Sequence, residues 1–193
     1  SKYLAIAEID LSGIIIQSSI QVVSMELTKT NPNEAIVYKY DAPTDKMIMN
    51  IEYQEQNKLI CMYSDGIESL EEKNSTNLVN FEDKQLSFMT IELSNRIAII
   101  EEISTGEYTA DTNVKIINPT TKTEKQYITE NITKTIKTSD NKMAINFGTE
   151  LHIINKNGIL LKKYLSDTEI NDIVMTDALI GIVYKDKIQI INF

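Results

Sequence analysis

The sequence predicts an all-β chain: a β-propeller, or part of one, of about four to five blades, each a four-stranded antiparallel sheet. Three observations carry this expectation. Short apolar runs alternate with polar or small residues at period two, as half-buried strands require. The runs are joined by connections too short for the crossover of a dozen or more residues that parallel neighbours need. A second run recurs from unit to unit: residues 59–63, 97–100, 143–147 and 179–184 begin 38, 46 and 36 residues apart, near the roughly 40 to 50 of four-stranded propeller units.

The elements follow in order. Residues 3–9 alternate, and Asp10-Leu11-Ser12-Gly13 turns the chain into a second run, 14–23. A polar, Pro-containing loop over 28–33 leads to Ala35-Ile36-Val37-Tyr38, whose branched and aromatic side chains favour strand. These three runs make a blade without its first strand. The second unit holds 47–53, 58–63, 67–71 and 77–81, and its Asp65-Gly66 between apolar flanks is the strongest hairpin signal in the chain. The third runs through 88–93, 96–103, a longer polar loop at 104–112, then 114–117 and 126–129; that loop accounts for the longest repeat step.

The fourth unit opens at 132–137 and continues as three strands over 141–164, turned by Gly148-Thr149 and by Asn155-Lys156-Asn157-Gly158, residues that tolerate positive φ. Runs at 170–175, 179–184 and 187–191 make a fifth unit without a fourth strand. The expected blades are 2–46, 47–85, 86–131, 132–169 and 170–193, within one propeller-like domain. The lack of an initiating Met and the mid-blade ending lead us to expect a piece of a longer chain. A β-sandwich also uses many short strands; the repeat decides for a propeller.

Composition narrows the function. The 193 residues carry 28 acidic and 19 basic side chains, a formal charge of -9, which argues against a nucleic-acid partner. Residues 1–112 hold 19 acidic and 8 basic groups, net -11, whereas 113–193 hold 9 and 11, net +2. The acidic half would suit a cation or a basic partner, or is an ordinary solubilising surface. Cys61, the only cysteine, sits in an apolar run and reads as a buried hydrophobe. No run approaches the roughly 18 to 20 apolar residues of a transmembrane helix, so no membrane insertion is expected within this chain.

No motif carries chemistry. His152 is the only histidine and has no second His or Cys to make the usual zinc site; in a strand it reads as a surface residue or a satisfied core residue. There is no nucleophile elbow and no phosphate-cradling glycine loop. Carboxylates are the remaining candidates: the clusters Glu68, Glu71, Glu72 and Glu101, Glu102, and the loop residues Asp10, Asp65, Glu107, Asp111 and Asp186. In a propeller, loops after second strands gather on one rim, where a hard cation such as calcium would meet several oxygens; turns also favour Asp for backbone reasons. Tyr63, Phe147 and Tyr184 end second runs at matching positions, either as a rim for stacking on a sugar or peptide or as filling between blades.

On these runs and their period, the chain resembles bacterial β-propellers of the WD-type and quinoprotein-type repeat superfamilies. It is similar to membrane-anchored propeller proteins of low-GC Gram-positive bacteria. It has no Trp, so the Trp-containing signatures of those repeats are absent and no site residue carries over. The resemblance implies a non-catalytic binding or scaffolding module with a protein or polysaccharide partner and no cofactor, extracytoplasmic and anchored through a segment outside this chain. The alternatives are a metal-centred hydrolase or lyase using the loop carboxylates with calcium, a structural segment of a larger propeller, and a cytoplasmic location.

Overall fold

The computed structural model describes residues 2–44, 46–55, 58–71, 74–81, 86–93, 96–104 and 110–192. Packing divides the chain into two units, 1–83 and 84–193. Among the described residues eighteen strands pair antiparallel with sequence neighbours inside five sheets.

The first unit holds two sheets. One is β1 (Tyr3–Asp10), β2 (Gln17–Ser24) and β3 (Ile36–Asp41); the other is β4 (Ile48–Glu55), β5 (Lys58–Tyr63), β6 (Gly66–Glu71) and β7 (Asn74–Asn80). Ile20 and Val22 of β2 pack with Leu59, Cys61 and Tyr63 of β5 and Leu70 of β6. Alternation decides which side chains enter this core, because one face of β2 meets the second sheet and the other does not. Apolar Ile14, Ile15 and Ile16 were expected to open the second strand, yet they stand exposed in the bend and the irregular residue that precede it. Two short helical turns, Leu27–Thr30 and Pro32–Glu34, replace the loop expected at 28–33.

The second unit holds three sheets. The third sheet of the chain is β8 (Leu86–Leu93), β9 (Arg96–Ser104), β10 (Ala110–Ile117) and β11 (Glu124–Thr129). The fourth is β12 (Thr135–Thr138), β13 (Lys142–Asn146), β14 (Glu150–Asn155) and β15 (Leu160–Leu165), and the fifth is β16 (Asp172–Met175), β17 (Leu179–Val183) and β18 (Ile188–Asn192). The fourth sheet explains the near-continuous apolar runs. Met143, Ile145 and Ile154 face Ala98, Ile100, Val114 and Ile116 of the third sheet, while Ala144, Leu151 and Ile153 face Ile173, Ile180 and Ile182 of the fifth. Both parities of a strand are apolar when both faces are covered. Burying one such Ile fully contributes about 1.5–3 kcal/mol.

The chain therefore builds five successive antiparallel sheets of three or four strands, the architecture of a partial β-propeller. Asp65-Gly66 does turn a hairpin, but for a reason other than positive φ. A Cβ at Gly66 would stand 2.4 Å from the Val79 carbonyl oxygen, so the close approach of β7 demands glycine there. Gly158, with φ of +73°, uses glycine's left-handed freedom as expected.

Ile153→Ala, which empties a covered position, is expected to cost about 2–5 kcal/mol, whereas Ile190→Ala on the outward face of the fifth sheet changes stability by about 0.5 kcal/mol or less. Urea midpoints of the two variants check this; equal losses would contradict the two-sided burial of the fourth sheet.

Candidate functional site

The predicted site residues lie at strand ends and turns, and register decides which of them meet. Asp10 closes β1, where its Oδ1 accepts the Ser12 backbone N–H at 2.8 Å. Ser12, through its hydroxyl and then that N–H, holds the carboxyl below the usual aspartate range. Asp10 pairs with Gln17, Glu8 with Ser19, and Ser19 with Asp41. Paired residues share a face of a sheet, as do alternate ones, so these side chains stand together on the face opposite Ile20 and Val22.

They line an open groove of about 550 Å³ with Ile9 and Lys39. Gln21 Nε2 donates to Glu8 Oε2 at 2.6 Å, and Lys39 Nζ lies 3.2 Å from Asp41 Oδ1. Gln17 is held over the groove by donation to the Ala42 carbonyl. Three carboxylates against one ammonium leave the lining with a formal charge of -2. Of the groove, only Asp10 was legible in the sequence; Lys39 and Asp41 reach it from a strand about thirty residues on.

Asp65 is exposed in the β5–β6 turn, with Lys46 Nζ at 3.3 Å from its Oδ2 and at 2.6 Å from Glu68 Oε1. The same ammonium lies 5.2 Å from the centre of the Tyr63 ring. Hydrogen bonding to Glu68, outweighing burial, raises the Lys46 pKa. Asp111 was expected in a loop, but β10 begins at Ala110 and Asp111 pairs with Ile103 inside the ladder. Asp186 occupies the β17–β18 turn between Lys185 and Lys187. Glu72 and Glu107 lie outside the described residues.

The aromatics sit in packing positions. Tyr63 is fully buried between the first two sheets, and burial raises its pKa. Burial also pushes the neighbouring Cys61 thiol up to about 12, far from a reactive thiolate. Tyr184 is buried between the fourth and fifth sheets, its hydroxyl accepting from Ser166 Oγ at 3.2 Å. Phe147 is half-buried and meets the His152 ring edge-on at a centroid distance of 4.8 Å.

A polar cluster that sequence reasoning did not assemble surrounds His152. Tyr127 Oη lies 2.8 Å from its Nδ1, and Glu150 Oε2 lies 3.1 Å from its Nε2. Lys163 Nζ reaches the same carboxylate oxygen at 2.6 Å. Among the described residues, no three His, Cys, Asp or Glu side chains gather to hold a metal ion, and no helix is long and apolar enough to cross a membrane.

No protein-family model matches the chain, and no curated protein matches it. Solved β-propellers are similar to it. BBS1N, in complex with ARL6DN, is 11% identical and aligns over 94% of this chain and 60% of its own, with a TM-score of 0.50. BamB from Moraxella catarrhalis is 12% identical over 95% of this chain and 57% of its own, TM-score 0.49, and Hsv2 from Kluyvelomyces marxianus is 14% identical over 77% and 49%, TM-score 0.46. The chain spans about half to three-fifths of the length of these structures. At such identity the likeness is one of fold.

Glu68 is nearly buried, so taking away its cation leaves an uncompensated charge. Lys46→Met is expected to destabilise by about 1–3 kcal/mol, a loss that Glu68→Gln in the same chain partly restores. Because the Lys46 pKa is raised on folding, this stabilisation is present at neutral pH and is lost only as pH climbs above the ordinary lysine value of 10.5. Urea titrations of the single and double variants at pH 7 measure it; additive losses would show that the pair is not coupled.

Proposed function

We propose that this chain is a non-catalytic binding module of propeller architecture whose first sheet takes a basic segment of a protein partner. The observation that carries this reading is the groove formed by Glu8, Asp10, Gln17, Ser19, Lys39 and Asp41, which is concave, polar and net negative. It lies in the unit 1–83, which carries 14 acidic and 6 basic residues, so the field of that unit also favours a cation-rich ligand and speeds its encounter. A propeller of this fold, BBS1N, was solved in complex with another protein, which supports a protein rather than a polysaccharide partner. The resemblance to membrane-anchored bacterial propellers supports an extracytoplasmic setting.

The probe is a fluorescent twelve-residue Lys/Arg-rich peptide, with its Glu-substituted counterpart and a neutral oligosaccharide as comparisons. The basic peptide is expected to bind, and to bind more weakly as salt is raised from 50 to 200 mM. Exposed rim carboxylates make only modest, salt-screened contributions, so Asp10→Asn with Asp41→Asn weakens binding about 2- to 30-fold. Equal affinity in the double variant, or preference for the oligosaccharide, would overturn the assignment.

A second reading, a structural segment of a larger propeller, rests on the fifth sheet. Its outward face carries Val174, Leu179, Ile188 and Ile190, all exposed, the last two at 65% and 68%. Exposed contiguous apolar surface of this kind marks an interaction site. The isolated chain is then expected to self-associate at 0.1 mM-scale concentration, on the order of common micromolar-to-millimolar affinities, and Ile188→Lys with Ile190→Lys to keep it monomeric. Light scattering decides; a monomeric wild type would remove this reading.

A further inference from the structure

We infer that His152 is an acid-sensitive latch: as a neutral imidazole it fastens β11 of the third sheet to β14 of the fourth, and taking up a proton weakens that fastening by reversing the bond around a buried charge. The geometry leaves one arrangement of protons at neutral pH. Glu150, ionised, accepts only, so Nε2 of His152 carries the hydrogen that faces Oε2 at 3.1 Å. Nδ1 is then bare and accepts from the Tyr127 hydroxyl at 2.8 Å. This bond runs between the two sheets, since Tyr127 belongs to β11 and His152 to β14.

Protonation makes both ring nitrogens donors. Nδ1–H then points at the Tyr127 oxygen, which must turn its own hydrogen away. The contact changes from a donated bond to one that the tyrosine has to rearrange to accept, in a place where His152 is only 3% exposed and Tyr127 half-buried.

The groups around the ring oppose charge on balance. Tyr127 faces it from β11, Phe147 packs its ring edge from the end of β13, and Lys163 pairs with it across the ladder from β15. Among the described residues Glu150 is the anion in contact, and its Oε2 is shared with Lys163 at 2.6 Å and with Asn131 Nδ2 at 3.3 Å. Its attraction is thereby already engaged. Burial, before any charge, lowers the His152 pKa below 6.5, with Lys163 acting in the same direction against the Glu150 hydrogen bond. A depressed pKa means that the latch contributes fully above about pH 6.5 and fades as pH falls below it, because the opened state binds the proton more readily.

His152 is the only histidine, so its C2 proton gives a single imidazole signal in the NMR spectrum of the whole chain. That signal is followed from pH 8 to 5 together with amide hydrogen-exchange protection. The expected result is a His152 midpoint below 6.5 and a fall in β11 protection factors approaching about tenfold per pH unit, the slope of one proton taken up. Strands β16 and β17 keep theirs. In His152→Gln, β11 protection is expected to be independent of pH over the same range, and in Tyr127→Phe to be low already at pH 8. Titration of His152 without loss at β11, equal loss in β16 and β17, or an unchanged pH slope in His152→Gln would each overturn the latch.

Discussion

Everything in this molecule depends on one constraint: an antiparallel sheet that is apolar on both faces has to be covered on both. The fourth sheet meets it, with Ile145 turned toward the third sheet and Ile153 toward the fifth. Sheet-on-sheet burial gives each strand a reason to exist that it lacks alone, since one hairpin in water is marginal. The same constraint identifies the surface left over, because the outward face of the fifth sheet is built from the same residue types yet stands in solvent. Such a face is where stacking would continue.

Packing this dense leaves polar groups inside, which cost less when they are hydrogen-bonded. Asn146, fully buried at the end of β13, donates to the Ile170 carbonyl at 3.0 Å and accepts the Gly148 N–H at 2.8 Å. It ties the connection leading to the fifth sheet onto the turn of the fourth. Ser18 does the equivalent in the first unit, its hydroxyl accepting the Ile48 N–H at 3.3 Å, and Thr112 donates to the Asn131 carbonyl between the third and fourth sheets. Glu101, buried in β9, is neutralised by Lys115 at 3.0 Å and bonded by Asn113 at 3.1 Å. His152 belongs to this class of fastening, but it alone changes charge near neutral pH.

Two surfaces follow from the same arithmetic of coverage. The free face of the first sheet gathers carboxylates into a concavity, and the free face of the fifth is apolar. Charge placed on the first keeps it hydrated, whereas the fifth leaves hydrocarbon exposed.

Much of the fold was legible in the residues. The alternation at 143–147 and 151–155, the turn at Asn155 to Gly158 and the recurrence of the second strands are local signals, and they placed strands where the structure has them. The signal failed where local pattern competed with context: Ile14 to Ile16 look like strand but lie in the bend and the irregular residue before β2, and Asp111 looks like loop but is held in the ladder by Ile103. The sequence by itself determined that the chain would form short antiparallel strands with two apolar faces, because alternation and turn chemistry act over a few residues. Only the tertiary structure decided that Asp10 would share a groove with Lys39 and Asp41, and that Tyr127 would meet His152. Those pairs are separated along the chain and come together only through register and the stacking of one sheet upon the next.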